Sequence, residues 1–231
     1  MTNDDRAPLA LPASVPLAAP EGFAARLDAI GAAVGAGTLA QLGDYLGRLL
    51  AMNEQMNLTA VKEPGAAWER HILDALTLLP LLAEVPAGAR LVDIGSGGGV
   101  PGLPLAIARP DLQVTLVEAT QKKASFLSAV SAAMGLSNVE VRAERAEQLG
   151  KGELRGKFDV VTARAVARLV SLAPLALPFA RPGGVVLLIK GQRADEELAE
   201  AASVIARGHA VVAPTVATPT GRIVVLRRNP G

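Results

Sequence analysis

Between Leu91 and Gly102 the chain reads LVDIGSGGGVPG, a short apolar run carrying Asp93 and then five glycines within eight residues. Glycines of this density let a backbone approach a ligand with no Cβ in the way. The spacing Gly97-x-Gly99-x-x-Gly102 formally matches a dinucleotide-binding fingerprint, with Gly97 as its first glycine. Asp93 argues against that ligand, because a carboxylate beside a pyrophosphate sets like charges at close range. S-adenosylmethionine carries an ammonium and a sulfonium and no phosphate, so the same acid is favourable to it. Glu118 ends the run Val114-Thr115-Leu116-Val117-Glu118 and is placed to accept hydrogen bonds from both hydroxyls of a ribose. Arg164 ends another apolar run, Phe158 to Ala163, where a guanidinium would meet a ligand at the same sheet edge.

These residues need a parallel sheet to bring them together. From Arg90 onward short β-rich runs alternate with helical stretches. Strands are expected at Leu91–Ile94, Val114–Glu118, Val139–Arg142, Phe158–Ala163 and Val185–Lys190. Helices are expected near Pro101–Arg109, Gln121–Met134, Leu169–Phe179 and Asp195–Arg207. Two further runs, Ala210–Ala213 and Ile223–Leu226, flank a Pro/Thr/Gly turn and read as a terminal hairpin. The fold class is therefore α/β: a Rossmann-like methyltransferase domain with a mostly parallel seven-stranded sheet, preceded by a helical extension. Phe23, Leu27, Ile30 and Val34 recur at helical spacing, a second helix is expected from Thr38 as N-cap, and Pro64 opens a third. The expected organisation is a disordered leader over 1–20, a helical extension over 21–85 and the methyltransferase domain over 86–231. His71 and Trp68 read as a structural hydrogen-bonding residue and a core anchor.

The 231 residues are half hydrophobic and contain no cysteine, which excludes disulfides, thiolate metal sites and a cysteine nucleophile. No long apolar stretch free of charge or proline suggests a membrane span, and acids stand where a signal peptide needs bases. A cytoplasmic protein with no membrane anchor and no metal is expected. Net charge is only +1, but from Gln121 to Arg193 there are 12 basic residues against 5 acidic ones, an excess of 7. Such a region can supply the sequence-independent part of nucleic-acid binding.

With these blocks in view, the chain resembles the bacterial 16S rRNA guanine-N7 methyltransferase family, long known as glucose-inhibited division protein B. The resemblance rests on Asn57-Leu58-Thr59, Arg70-His71-Ile72-Leu73-Asp74, the glycine block through Pro101-Gly102-Leu103-Pro104-Leu105, and Val117-Glu118. Lys122-Lys123 with Phe126-Leu127, Arg145-Ala146-Glu147, Thr162-Ala163-Arg164-Ala165 and Leu188-Ile189-Lys190-Gly191 extend it, over about residues 40 to 228. Two departures are the ending Gly221 to Leu226, where the family reads RLVVI-like, and a leader with no counterpart. The resemblance implies cofactor contacts from Gly95, Val100, Ala146, Glu147 and Arg164, with Glu118 on the ribose and Arg164 the residue closest to the chemistry. It implies a substrate as well: guanine 527 in the decoding-region loop of 16S rRNA, within a small ribosomal subunit or its late precursor; a monomer is expected. Guanine N7 has an in-plane lone pair and no proton to lose, so alignment and electrostatics can carry the reaction. The absence of a cysteine, and of the Asp/Asn-Pro-Pro-aromatic block of exocyclic-amine enzymes, agrees with this. Aromatic residues are scarce, so arginine planes would hold the base. The alternatives are a nucleotide-dependent oxidoreductase, and a non-catalytic RNA-binding protein with the same fold.

Overall fold

The computed structural model describes residues 9–164 and 167–231. Before the sheet lie α1 (Phe23–Ala29), α2 (Ala36–Asn53), and a helical segment made of α3 (Pro64–Ala67), a π-helical turn (Trp68–Leu73) and α4 (Asp74–Leu76). A 3₁₀ turn (Leu79–Leu82) closes the extension. No strand occurs among the described residues before Arg90, as the periodicity predicts. The second helix starts at Ala36 with Gly35 as N-cap, so Thr38 lies in its first turn and does not cap it. Leu42, Leu46, Leu49 and Met52 recur along α2 at three- and four-residue spacing and are buried, as an amphipathic helix requires.

The alternating region folds as β1 (Arg90–Ile94), α5 (Gly102–Ala108), β2 (Gln113–Val117), α6 (Gln121–Ala133), β3 (Val139–Arg142), α7 (Ala146–Lys151) and β4 (Phe158–Arg164). It continues with α8 (Leu169–Ala176), β5 (Ala180–Lys190), α9 (Ala194–Arg207), β6 (Ala210–Thr218) and β7 (Gly221–Arg228). The seven strands form one sheet in the order β3-β2-β1-β4-β5-β7-β6. The five strands β1 to β5 are parallel, and β7 enters antiparallel between β5 and β6. The hairpin is longer than its apolar cores suggest, and its register shifts between Ala213 and Val216, around Pro214. Helices cover both faces, so a central strand such as β1 is buried at every residue after Arg90.

One core cluster joins Phe23, Leu46, Trp68 and Ile72 of the extension to Leu91, Leu103 and Leu116, so the extension completes one face of the sheet. The other face packs against α8 and α9 through Leu172, Ala201 and Ile205. The chain leaves β1 towards β2 and β3 on one side and returns to β4 and β5 on the other. A strand order that reverses in this way opens a crevice at the carboxyl ends of β1 and β4.

The expectation of a disordered leader over 1–20 needs correction in its second part. Residues 9–20 lack regular secondary structure, yet Leu9, Leu11, Leu17 and Ala19 pack on the core and the Leu17 N–H donates to Gly43 O at 3.0 Å. A Cβ at Gly43 would lie 2.1 Å from Leu17 O, and one at Gly47 would lie 2.2 Å from Val15 O. Two glycines four residues apart thus leave a bare track along α2 that the leader fills. Its first eight residues lie outside the described residues.

Candidate functional site

The glycine loop is fastened at both ends by backbone geometry. Gly95 and Gly97 take φ of 67° and 57°, the left-handed region that side chains resist. The Gly95 and Ser96 amides donate to Val117 O at 2.8 and 3.1 Å, which ties the loop to the end of β2. Glu118 then clasps it: Oε2 accepts from Gly97 N–H at 2.9 Å and Oε1 from Thr120 N–H at 2.7 Å. Each carboxylate oxygen keeps a second lone pair for another donor. From the other side the Tyr45 hydroxyl donates to Gly98 O at 2.8 Å. Burial pushes the Tyr45 phenol far above its ordinary range, so it stays a donor at any working pH.

Asp93 does not face the crevice. It is wholly buried: Oδ2 accepts from Gly102 N–H at 3.3 Å and Oδ1 from the Thr162 hydroxyl at 3.0 Å. The expected direct contact between Asp93 and a ligand is therefore corrected: the carboxylate occupies the first amide of α5 and holds the loop from behind. Desolvation pushes its pKa up to about 6, against the opposing pull of its hydrogen bonds. A Cβ at Gly102 would meet Leu116 Cδ2 at 2.3 Å and Asp93 Oδ2 at 3.0 Å, so the α5 backbone packs against β1 and β2 only with glycine there. Pro101 stands at the N-cap of α5, not inside its first turn, and the Val100–Pro101 bond is cis. The Val100 side chain is nearly buried in the core under the loop.

Arg164 ends β4 beside the glycine loop. Its Nη1 donates to Arg70 O at 2.5 Å and to Asp74 Oδ2 at 3.3 Å, and its Nη2 lies 3.3 Å from His71 Nδ1. A guanidinium has only donors, so His71 Nδ1 accepts and its proton sits on Nε2, which donates to Thr59 Oγ1 at 2.9 Å. Burial and the nearby Arg164 charge hold the His71 pKa down at about 4, so the ring is neutral. The structural role expected of His71 stands, and Trp68 is a core residue packed edge-on against Phe23. Asp74 completes the cluster, its Oδ1 accepting from the Thr220 hydroxyl of the β6–β7 turn at 2.5 Å. Arg164, from the sheet, is thus oriented entirely by the extension.

The sequence left Tyr45, Asp74 and Thr220 without roles. Tyr45 occupies an apolar position of α2, where periodicity marks it as core; the sign of more is that a buried phenol needs a hydrogen-bond partner. Asp74 lies just past the π-helical turn, a local irregularity that recurs at functional sites and leaves no trace in hydrophobic spacing.

Ala146 and Glu147 open α7 just beyond β3, on the same carboxyl edge, where the Glu118 amide donates to Arg142 O at 3.0 Å. Ala146 is half-buried and Glu147 exposed. The structure therefore gathers Gly95, Gly97, Glu118, Ala146, Glu147 and Arg164 along one edge and turns the side chains of Asp93 and Val100 inward. Next to Arg164, a cavity of about 240 Å³ is lined by Arg70, Asp74, Lys190, Glu197 and Thr220 among others. Lys190 Nζ donates to Ala167 O and to Glu197 Oε2, both at 2.8 Å.

Much of the local basic excess is neutralised. Arg142, Arg168, Arg181, Lys190 and Arg193 pair with acids, three of them with Glu196, Glu197 and Glu200 of α9, beyond the counted segment. Among the described residues Lys122, Lys123, Arg145, Lys151, Arg155 and Lys157 have no such partner. No cluster of three or more potential metal ligands occurs among the described residues, and no helix is long and apolar enough to cross a membrane.

The rRNA small subunit methyltransferase G family model matches residues 38–222. A ribosomal RNA small subunit methyltransferase G from Sorangium cellulosum is 69% identical over 229 residues, covering 99% of this chain and 96% of its own. One from Lactobacillus delbrueckii is 43% identical over 184 residues, covering 78% and 77%. In fold, the chain is similar to an S-adenosylmethionine-dependent methyltransferase from Aquifex aeolicus, with a TM-score of 0.54 at 15% identity, over 70% of this chain and 92% of that one. A precorrin-6y C5,15-methyltransferase from Geobacter metallireducens gives 0.51 at 14%, over 75% and 91%. With a family match across most of its length and a relative this similar end to end, the chain belongs to the rRNA small subunit methyltransferase G family.

Proposed function

We propose that this protein transfers a methyl group from S-adenosylmethionine to N7 of guanine 527 in the decoding-region loop of 16S rRNA. Its substrate would be an assembled small subunit or late precursor, and it would act as a cytoplasmic monomer. The observation that carries the reading is the placement of the Glu118–Gly97 clasp and Arg164 on one edge, with β1 between their strands. Neighbouring strands lie about 4.8 Å apart, so the ends of β2 and β4, from which Glu118 and Arg164 project, stand about 10 Å from each other along that edge. That interval suits a ribose hydroxyl pair at one end and a reactive methyl at the other.

The donor set favours this cofactor over a dinucleotide. The Gly102 amide, which would face a pyrophosphate at the start of α5, is already taken by Asp93. Glu118 presents spare lone pairs for ribose hydroxyls, with Gly95 and Gly97 beside it and the start of α7, with Ala146 and Glu147, flanking the far side. When bound, S-adenosylmethionine supplies an electrophilic methyl on a sulfonium. The chain's own part is to orient: the clasp fixes the loop, and the Thr59–His71 relay and Asp74 fix Arg164. No residue need remove a proton, since N7 carries none. The oxidoreductase and non-catalytic readings are set aside by membership of an enzyme family that methylates rRNA.

Calorimetric titration with S-adenosylmethionine, NADH and ATP tests the cofactor, and binding of the first alone is expected. Methyl transfer to small subunits from cells lacking this activity, followed by mapping of the modified base, tests the substrate. Methylation of any atom other than N7 of that guanine would overturn the assignment.

A further inference from the structure

The cavity beside Arg164 has a polarity of its own. On the sheet side it presents cations, Arg164 at the end of β4 and Lys190 at the end of β5, where Arg164 pairs in register with Ile189. On the α9 side it presents Glu197, which is only 16% exposed. Glu197 Oε2 is saturated by the Leu169 amide and Lys190, both at 2.8 Å. Among the described residues nothing donates to Oε1. Tying α9 to β5 and to the start of α8 thus uses one oxygen of a carboxylate that lines the cavity, and leaves the other without a donor among the described residues. Asp74, by contrast, spends both oxygens on Thr220 and Arg164.

At about 240 Å³ the cavity suits one heterocyclic base and not a longer stretch of chain. Resting on the proposed function, we infer that Glu197 is the residue that selects guanine, its free oxygen accepting from the N1–H edge while Lys190 donates to O6. The order of groups around the ring supports the match. Starting from N7, guanine presents an acceptor, O6, and then a donor, N1–H; adenine presents a donor and then an acceptor. With N7 turned towards the methyl, O6 meets the cations and N1–H meets the carboxylate. Adenine in the same pose would bring its amino group to Lys190 and a lone pair to Glu197.

The same oxygen acts in the reaction. The N7 lone pair forms the new bond to the methyl carbon, and the electron pair of the broken carbon–sulfur bond leaves with sulfur. The positive charge thus passes from sulfonium to guanine, and it spreads over the ring to N1–H. A negative oxygen there stabilises the transition state more than it stabilises the neutral base.

The test is single-turnover transfer by Glu197→Gln on unmodified small subunits. The glutamine retains an acceptor for Leu169 and Lys190 but puts an amide donor where the open oxygen stood. Transfer at saturating subunit should slow about 10- to 100-fold, the scale of a lost charged hydrogen bond. Cofactor affinity, subunit affinity and melting temperature should stay near wild type. Glu196→Gln, on the same helix and paired among the described residues only with exposed Arg193, should behave as wild type. Wild-type transfer that Glu197→Gln retains within about twofold overturns this inference alone; no transfer by the wild type overturns the proposed function and this inference with it. Should Glu197→Gln fail to fold, the wild type is assayed on subunits carrying 2-aminopurine at the target. That base keeps N7 but lacks O6 and N1–H, so a loss of tenfold or more is expected, and equal transfer overturns the inference.

Discussion

Asp93→Asn should change how stability depends on pH, because two buried groups in this site titrate against each other. Burial raises the Asp93 pKa from 3.8 to about 6. Between those values the folded protein holds a proton that the unfolded chain has lost, so the contribution of Asp93 falls as pH rises through that window. His71 does the opposite. Its pKa drops from 6.5 to about 4, so the unfolded chain takes up a proton in that interval and stability rises with pH. Each shift of roughly 2 units corresponds to about 3 kcal/mol at 1.36 kcal/mol per unit. In the wild type the two slopes nearly cancel between about pH 4 and 6. Asp93→Asn keeps an acceptor for Thr162 or the Gly102 amide and removes one of the slopes. The variant should therefore gain on the wild type by about 3 kcal/mol as pH rises from about 4 to 7. Urea unfolding of both proteins across that range measures the difference, and all other titrating groups drop out of the subtraction. A difference that stays constant within about 1 kcal/mol, or that moves the other way, would refute the account of Asp93 as a buried, reluctantly ionised support.

Glu118→Ala should weaken S-adenosylmethionine binding by about 1–3 kcal/mol in a titration, because it removes both the clasp on Gly97 and the acceptors proposed for the ribose. Arg164→Ala should slow single-turnover transfer about 10²-fold, whereas His71→Gln, whose side-chain carbonyl can still accept from Arg164, should cost little beyond its effect on stability. Transfer rates should stay nearly flat from about pH 7 to 9, since neither Asp93 nor His71 titrates there and the proposed nucleophile, N7, needs no base. Charge reversal at Lys122, exposed on α6 with no acid partner among the described residues, should lower affinity for the small subunit and flatten its salt dependence without touching cofactor affinity. Gly47→Ala should destabilise the full chain, since its Cβ meets Val15 O at 2.2 Å, yet be neutral or stabilising by up to about 1 kcal/mol once residues 1–20 are removed. Identical effects in both backgrounds, read from melting curves, would show that the leader does not lie on α2.

The sheet was legible because its signals are local and repeated. Each parallel strand is a short apolar run bounded by polar turns, and alternation with helices dictates their direction. The glycine loop and Glu118 were legible for a related reason: each closes a strand, and strand ends in such a sheet share one edge. What could not be read is what depends on contacts between distant segments. The leader offers no periodicity, and what gives it away is the pair Gly43 and Gly47, which in sequence look like weak points of a helix. Asp93 shows the same limit in reverse. Its residue type and place were right for the carboxyl edge of the sheet, but strand periodicity alone does not say which hydrogen-bond donors lie behind it. Only the packing of α5 reveals that the Gly102 amide is there to be bonded. The basic excess misled in a similar way, since α9 supplies acids that a count over one segment leaves out.

The helical extension does more than cover a sheet face. It reaches the site at two points: Tyr45 pins Gly98 of the loop, and Thr59, His71 and Asp74 set Arg164. These points are linked inside the extension, for Asn53 Oδ1 at the end of α2 accepts from both the Leu58 and Thr59 amides at 2.9 Å. A shift of α2 would therefore move the floor of the cofactor loop and the partner of His71 together. Thr220, from the far hairpin, closes the circuit on Asp74. Every side chain that fixes Arg164 comes from outside the parallel strands, whereas the loop and Glu118 belong to them. This division follows from the chemistry. The sheet edge is a generic cradle that many reactions share, and the proposed function leaves its adaptation to one substrate to the groups placed across the crevice from it. A neutral His71 fits that arrangement, because it can hold a guanidinium by accepting from it, where a protonated ring would repel it.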